Sequence, residues 1–401
     1  MPKNSLIADD STVALTGAEA AAEAMRQIEP GVVPIYPITP QTPIIEKFAK
    51  FAASGKVKSE IITTESEHSA MSASIGAAAS GVRSMTATSS QGLAYMFEML
   101  YVASGMRLPI VMNVASRALS APINIHCDHA DVMGVRDSGW IQIFCETAQE
   151  VYDHTLLALK LAENEKVYLP AMVAQDGFFT SHTLEGMEIL TDEQVKDFVG
   201  EYPYPISLLQ EKDPITLGSL VLPDRYFEIK LEQEKAIQQA LEVFPQVAEQ
   251  LAELTCRKYS PVETFQVDAE TEAVIVVMGS AAGTAKAVAR RFSQNGQKVG
   301  VVKVCLFRPF PYDQLGEIIK DIKNIAVLDR ALSFGSSPPL YMEVAQTVHQ
   351  FGLAPGQQIQ SCVYGLGGRD LREKNVKQIY QEILGDKYTD QIKYLNCENA
   401  E

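Results

Sequence analysis

Several short stretches of this chain set reactive side chains against rigid or small-residue backbone. In Tyr36-Pro37-Ile38-Thr39-Pro40, a strand-like run ends in prolines that restrict the backbone around a hydroxyl. Thr39 is then presented at the C-terminal edge of a strand, where open α/β sheets bind ligands; a proline-stiffened start to the next helix is the competing reading. In Glu65-Ser66-Glu67-His68-Ser69-Ala70, two carboxylates open a helix of small residues. One glutamate could be buried at that N-terminus, or both could be solvated and favoured by the helix dipole. Arg117 follows the apolar strand 109–115 after Ser116, where a cation could grip a small carboxylate or simply be exposed. His126-Cys127-Asp128-His129-Ala130-Asp131 contains metal-ligand types, yet no i, i+4 histidine pair or CxxC accompanies it, so a hydrogen-bonded turn is favoured and no metal is assigned. Gly279-Ser280-Ala281-Ala282-Gly283 resembles a dinucleotide loop without the full GxGxxG spacing, and Gly365-Leu366-Gly367-Gly368 reads as a turn.

The elements that must position these groups alternate. Helical periodicity covers 18–28, 42–51, 66–79, 93–104 and 151–163, and strand-like runs lie at 33–40, 61–63, 85–89, 109–115 and 167–174. Apolar strands separated by helices predict a parallel sheet covered on both faces. Residues 178–225, with Pro203, Pro205, Pro214 and Pro223, read as an irregular excursion, 227–254 as a long amphipathic helix and 255–268 as a linker. A second alternation follows, with strands at 274–279, 299–304 and 324–328 and helices at 281–295, 311–320 and 339–348. Two α/β domains are expected, 1–262 and a smaller 263–401.

At 401 residues, with 46% hydrophobic and 21% charged, the chain is an ordinary globular protein of more than one domain rather than a disordered or fibrous one. Its net charge of −16 disfavours nucleic acid and anionic membrane as partners. No apolar run reaches membrane-spanning length, and Met1-Pro2-Lys3-Asn4-Ser5 leads into Asp9-Asp10 without the apolar region of a signal peptide. The six cysteines are scattered with no CxxC, so no iron–sulfur or zinc signature is present and a reducing cytoplasm is expected.

Taken in order, Tyr36–Pro40, Glu65–Ala70, Thr88-Ser89-Ser90-Gln91-Gly92-Leu93, Ala115-Ser116-Arg117-Ala118-Leu119-Ser120, and Asp128–Met133 with Asp137-Ser138-Gly139-Trp140 resemble the α subunit of the 2-oxoacid:ferredoxin oxidoreductases, pyruvate:ferredoxin oxidoreductase (pyruvate synthase) in particular. Asp329-Arg330, Gly335 and Pro338–Val344 are similar to that family's second domain. The resemblance implies a thiamine-diphosphate-binding parallel-sheet domain of the pyrimidine-side type, followed by a domain of transketolase C-terminal type. It implies oxidative decarboxylation of pyruvate, with CoA taking the acetyl group and electrons passing through iron–sulfur clusters to ferredoxin or flavodoxin. In that chemistry a carboxylate bonds N1′ of the aminopyrimidine, and the thiazolium acts as an electron sink. Carried over, the carboxylate is Glu67, with Glu65 the fallback. Arg117 pairs the pyruvate carboxylate and the Thr39 hydroxyl bonds the substrate, Ser90, Gln91 and Gly92 line the cofactor, and Pro40, Asp128, His129 and Asp131 line or brace the pocket. The His126-Cys127-Asp128 stretch departs from the family pattern. The chain has no GDG…N-type motif for the Mg²⁺-diphosphate end and no cysteine array. The resemblance therefore assigns Mg²⁺ and the [4Fe-4S] clusters to β-, γ- and δ-type partner subunits, and predicts that this polypeptide alone is inactive. Another 2-oxoacid or oxalate as substrate, a non-catalytic scaffold, and a nucleotide-linked dehydrogenase using 279–283 are the alternatives. A dicarboxylate substrate would call for a second cation, and these motifs contain none.

Overall fold

The computed structural model describes residues 12–202, 204–352 and 356–398. Pro203 of the expected excursion, and the stretch 1–10 on which the leader expectation rests, lie outside the described residues.

The described elements run in chain order as β1 (Thr12–Thr16), α1 (Gly17–Ile28), β2 (Val32–Ile35), α2 (Thr42–Ala53), β3 (Glu60–Thr63), α3 (Glu67–Ala79), β4 (Met85–Thr88), α4 (Ser90–Tyr95), α5 (Phe97–Gly105), β5 (Val111–Ser116), α6 (Ala130–Gly134), β6 (Ile141–Cys145), α7 (Ala148–Ala162) and β7 (Ala171–Asp176). They continue as β8 (Leu184–Glu188), α8 (Asp192–Val199), α9 (Pro223–Thr255), β9 (Val262–Phe265), β10 (Ala273–Val277), α10 (Ala281–Gln294), β11 (Val299–Val304), β12 (Leu306–Arg308), α11 (Tyr312–Ile319), β13 (Asn324–Asp329), α12 (Pro339–Phe351), β14 (Gln358–Val363), α13 (Glu373–Leu384) and β15 (Lys393–Tyr394).

The first sheet has the order β12-β6-β7-β5-β4, parallel except for β12. The parallel pair β2-β3 extends it through a single bridge between Val32 and Ser84. Val32 N–H donates to Arg83 there, but the next position facing β4 is Pro34, which has no N–H, and the ladder stops. The Thr86 hydroxyl bonds the Pro34 carbonyl instead, at 2.8 Å. Every residue of β5, β6 and β7 is buried, as a sheet covered on both faces requires. Helices α1, α2 and α7 cover one face. The other carries α3 and α5, and its apolar side chains, Met112 and Phe144 among them, join those of Val274, Val276 and Val302 from the second sheet in one core.

The second sheet has the order β15-β14-β13-β10-β11-β9, with β9 the antiparallel edge. Helices α10 and α13 cover its far face. The strand order turns around between β10 and β13, where doubly wound sheets open a crevice beyond their C-terminal ends. β12 leaves this unit to pair with β6 of the first sheet, so the two units share backbone hydrogen bonds.

Several boundaries differ from the sequence expectation for identifiable reasons. The strand expected at 167–174 begins only after Pro170, which cannot donate to a ladder, and so runs on to Asp176. The helix expected at 93–104 is two, breaking at Met96. The stretch 178–225 is not wholly irregular. It carries β8, paired with β1, and α8, started by the Thr191–Gln194 capping box. Both are short and bury few side chains, which leaves little periodicity to read. α9 begins four residues earlier than the expected helix at 227, with Pro223 in the first-turn position where proline is tolerated. The expected linker contains β9, a half-exposed edge strand.

Candidate active site

Four loops at the C-terminal ends of parallel strands converge. Ser66 caps α3, its hydroxyl accepting from Ser69 N–H at 3.2 Å, and this fixes Glu67 as the first helical residue. Glu67 is buried, 7% exposed, whereas Glu65 is exposed. Among the described residues nothing donates a hydrogen bond to the Glu67 carboxylate. Its room is made by Gly92, where an added Cβ would lie 2.8 Å from Glu67 Oε1 and 2.5 Å from Thr88 Oγ1.

The next loop starts at Ser90, buried with φ +47°, a conformation that a non-glycine residue holds only when surroundings impose it. What imposes it is Asp131. Asp131 Oδ2 accepts from Ser90 N–H at 2.8 Å and from Arg117 N–H at 3.0 Å, and Oδ1 accepts from Val132 N–H at 2.8 Å. The Ser90 hydroxyl lies 2.5 Å from the Ala118 carbonyl and 2.6 Å from Gln91 Oε1. One carboxylate thus braces the loop beside Glu67 to the loop bearing Arg117. Burial pushes Asp131 up to about 7 against those three N–H donors.

Arg117 is 6% exposed. Its Nε donates to the Asn124 carbonyl at 2.9 Å and its Nη1 to the Thr39 carbonyl at 3.0 Å. Two of the five guanidinium N–H donors are so used, and among the described residues no carboxylate pairs with the remainder. Burial lowers its pKa, partly offset by Asp131. Thr39 is exposed, turning its carbonyl to Arg117 and leaving its hydroxyl without a partner among the described residues, while Pro40 is buried against Gly177.

Asp128 and His129 make their contacts at the junction with the second sheet. Asp128 accepts from Ala130 N–H at 3.0 Å and Gly367 N–H at 3.3 Å, and burial raises its pKa. His129 Nε2 lies 2.7 Å from Asp176 Oδ1. Asp176 Oδ2 accepts from Arg330 Nη1 at 2.8 Å, Ser280 N–H at 3.1 Å and the Ser280 hydroxyl at 2.5 Å. Burial alone would raise Asp176, but His129 and Arg330 outweigh it and hold the carboxyl below the usual range. Cys127, His129 and Asp176 bring donor atoms within 4.8 Å of one another, yet Arg330 already supplies the positive charge this carboxylate requires.

That arrangement removes the dehydrogenase alternative. Gly279 and Ser280 occupy the second sheet's switch-point crevice, and an added Cβ at Gly279 would lie 2.9 Å from Asp176 Oδ1. The anion slot of the loop is filled by a carboxylate of the first sheet. Sequence reasoning missed Asp176 because it ended the strand two residues short; the sign that could have found it is an acid-glycine step, Asp176-Gly177, one residue beyond the apolar run 171–174. Asn124 was missed as well, since nothing local distinguishes it from any loop asparagine.

A family model for the thiamine-diphosphate-binding domain of pyruvate flavodoxin/ferredoxin oxidoreductases matches residues 23–249, and one for core domain II of pyruvate:ferredoxin oxidoreductase matches 271–376. The chain belongs to the pyruvate:ferredoxin oxidoreductase family. It is 51% identical to the pyruvate synthase subunit PorA of Thermotoga maritima over 96% of this chain and 97% of that one. It is 46% identical to the PorA subunit of Methanocaldococcus jannaschii over 92% and 94%, and 42% identical to the ketoisovalerate oxidoreductase subunit VorA of Pyrococcus abyssi over 92% of each. Among solved structures, the fold is shared with a 2-oxoglutarate:ferredoxin oxidoreductase from Magnetococcus marinus, at TM-score 0.72 and 18% identity over 93% of this chain and 65% of that longer one. It is shared too with a split-gene transketolase, at TM-score 0.55 and 11% identity over 93% and 99%. The α/β architecture and the oxidoreductase family expected from the sequence are therefore both found. No helix among the described residues is long and apolar enough to cross a membrane.

The residues fit the family's cofactor at its ring end. Glu67 offers a buried carboxylate with free lone pairs, in a space that Gly92 keeps open, and a ring nitrogen carrying a proton is the kind of partner such a group lacks.

Proposed function

We propose that this chain is the α-type subunit of a pyruvate synthase, supplying the pyrimidine side of the thiamine diphosphate site and the groups that bind pyruvate. The observation that carries the reading is Arg117: a guanidinium only 6% exposed, steadied by two backbone carbonyls and, among the described residues, lacking a carboxylate partner. A buried cation without a counter-ion is costly unless an anion joins it in use. A small 2-oxo monocarboxylate suits one cation beside one hydroxyl, Thr39, and a dicarboxylate would need a second cation.

Thiamine diphosphate, when bound, supplies the thiazolium that accepts the electron pair released as CO₂ departs. Glu67 accepts a hydrogen bond from the pyrimidine N1′ and keeps the proton there. Arg117 donates to the substrate carboxylate, Thr39 donates its hydroxyl to the substrate, and Ser90, Gln91 and Gly92 shape the wall between them. Asp131 holds the two loops in register. With CoA as co-substrate and ferredoxin or flavodoxin as acceptor, Mg²⁺ and the [4Fe-4S] clusters belong to partner subunits of β, γ and δ type. The absence of a CxxC pair and of a GDG…N motif in this sequence supports that division.

A charge-assisted hydrogen bond contributes about 1.5–3 kcal/mol, and each 1.4 kcal/mol is tenfold. In the assembled complex, Arg117→Ala should raise the KM for pyruvate at least tenfold in CoA-dependent acceptor reduction. An unchanged KM would refute the assignment, and a wild-type preference for 2-oxoisovalerate over pyruvate would refute the substrate.

A further inference from the structure

The Gly365–Gly368 turn has no chemistry of its own, but it is built against the loop that holds Arg117. Gly365, Gly367 and Gly368 all have left-handed backbone, with φ of +68°, +59° and +84°. An added Cβ at Gly367 would lie 2.4 Å from Asn124 Nδ2, and one at Gly368 would lie 2.3 Å from His126 Cβ. Neither glycine therefore leaves room for a side chain against the Asn124 and His126 side chains.

Hydrogen bonds join them. Asn124 Nδ2 donates to the Gly367 carbonyl at 3.0 Å, Gly367 N–H to Asp128 Oδ2 at 3.3 Å, and Gly368 N–H to the Cys127 carbonyl at 2.7 Å. Within the loop, Asn124 Oδ1 accepts from His126 N–H at 2.7 Å, and the His126 carbonyl accepts from Ala118 N–H at 3.0 Å. Asn124 thus spends its side chain on position: the amide nitrogen reaches the second unit and the amide oxygen closes its own turn. Its backbone carbonyl then receives Arg117 Nε at 2.9 Å.

We infer that Asn124 is a positioning residue for substrate binding, and that the Gly367–Gly368 step of the second unit sets the angle of the Arg117 guanidinium through it. Arg117 has two anchors, the Thr39 and Asn124 carbonyls. The second is fixed only as well as the loop at 119–127, whose residues 121–123 are exposed, and the Asn124 side chain ties that loop to the second unit beside the tie from Gly368 N–H to the Cys127 carbonyl. The second unit thereby takes part in recognising the carboxylate without touching it. This inference rests on the proposed role of Arg117.

The test is a double-mutant cycle in the assembled complex, reading KM for pyruvate and for CoA separately. Asn124→Ala should raise the pyruvate KM three- to tenfold and leave the CoA KM within twofold. Gly367→Ala, which pushes on the same amide from the other side, should do likewise. Combined with Arg117→Ala, Asn124→Ala should add less than twofold, because its effect passes through the arginine. Multiplying effects in the double variant, or a CoA KM that rises in parallel, would overturn the inference. So would an unchanged pyruvate KM in both Asn124→Ala and Gly367→Ala. If Arg117→Ala itself leaves the pyruvate KM unmoved, it is the underlying reading of Arg117 that has failed.

Discussion

Arg330, the residue following β13, donates from Nη1 to Asp176 Oδ2, the last residue of β7, across 2.8 Å, with both side chains buried. The pair joins the C-terminal edges of the two sheets, so the second sheet's switch-point crevice, where an isolated doubly wound domain binds ligands, is spent here on docking. The Arg330 guanidinium also lies 4.4 Å from the centre of the Phe179 ring, a cation–π contact that continues the junction.

Removing the acid should leave Arg330 buried and unpaired. Breaking a buried pair from one side costs about 3–5 kcal/mol. Asp176→Asn should therefore lower the thermal midpoint of the chain by several degrees. Because the carboxyl sits below its unfolded value of about 3.9, its stabilising contribution is present above that pH and is lost only on further acidification. Scanning calorimetry should accordingly show the wild-type advantage undiminished from pH 8 to pH 5; a variant as stable as wild type at neutral pH would remove the pair from the account of the junction.

How far the fold could be read from residues depended on burial. The runs 109–115 and 299–304 are apolar but for Asn113 and Lys303, because both faces of their strands are covered, and each appears as a strand. β8 and β9 are edge strands that bury few side chains and left little pattern. The site divides the same way. Glu67, Arg117 and Thr39 stood out because a charge or hydroxyl abuts an apolar or proline-fixed run. Asn124 and Asp176 work through partners more than a hundred residues away, Gly367 and Arg330, and no local signal announces such a pairing.

Glu65 cannot stand in for Glu67, since it is exposed on the other side of the cap. Glu67→Gln keeps the shape and removes the charge that favours a proton on the ring nitrogen. General acid–base contributions run to about 10²–10⁴-fold. The reconstituted complex should lose at least a hundredfold in pyruvate oxidation while its subunits still co-purify. Retained activity in that variant would point to the scaffold alternative.

Gly92 gives a test of space rather than charge. A methyl there meets Glu67 Oε1 and Thr88 Oγ1 well inside contact distance, so Gly92→Ala must push the carboxylate aside. The expected result is a thiamine diphosphate affinity at least tenfold weaker by titration of the cofactor-stripped complex, with the melting temperature of the lone chain changed by only a few degrees. A variant that binds the cofactor as tightly as wild type would show that the space beside Gly92 is not the ring site.

Asp131 ties these elements together, and its ionisation makes the tie depend on pH. Burial raises it to about 7, above the unfolded value of about 3.9. The folded chain therefore holds this proton more tightly than the unfolded chain does. By linkage, the stability this group contributes is fully present below about pH 4 and declines as the pH rises through 7. Asp131→Asn is neutral throughout and lacks that decline. It is the less stable protein at every pH, because one amide oxygen cannot accept from Ser90, Arg117 and Val132 with the geometry of two carboxylate oxygens. The gap between the two thermal midpoints should nonetheless narrow steadily from pH 5 to pH 8. A gap that stays constant would mean that the three backbone donors keep Asp131 ionised across this range, and one that widens would contradict the raised ionisation outright.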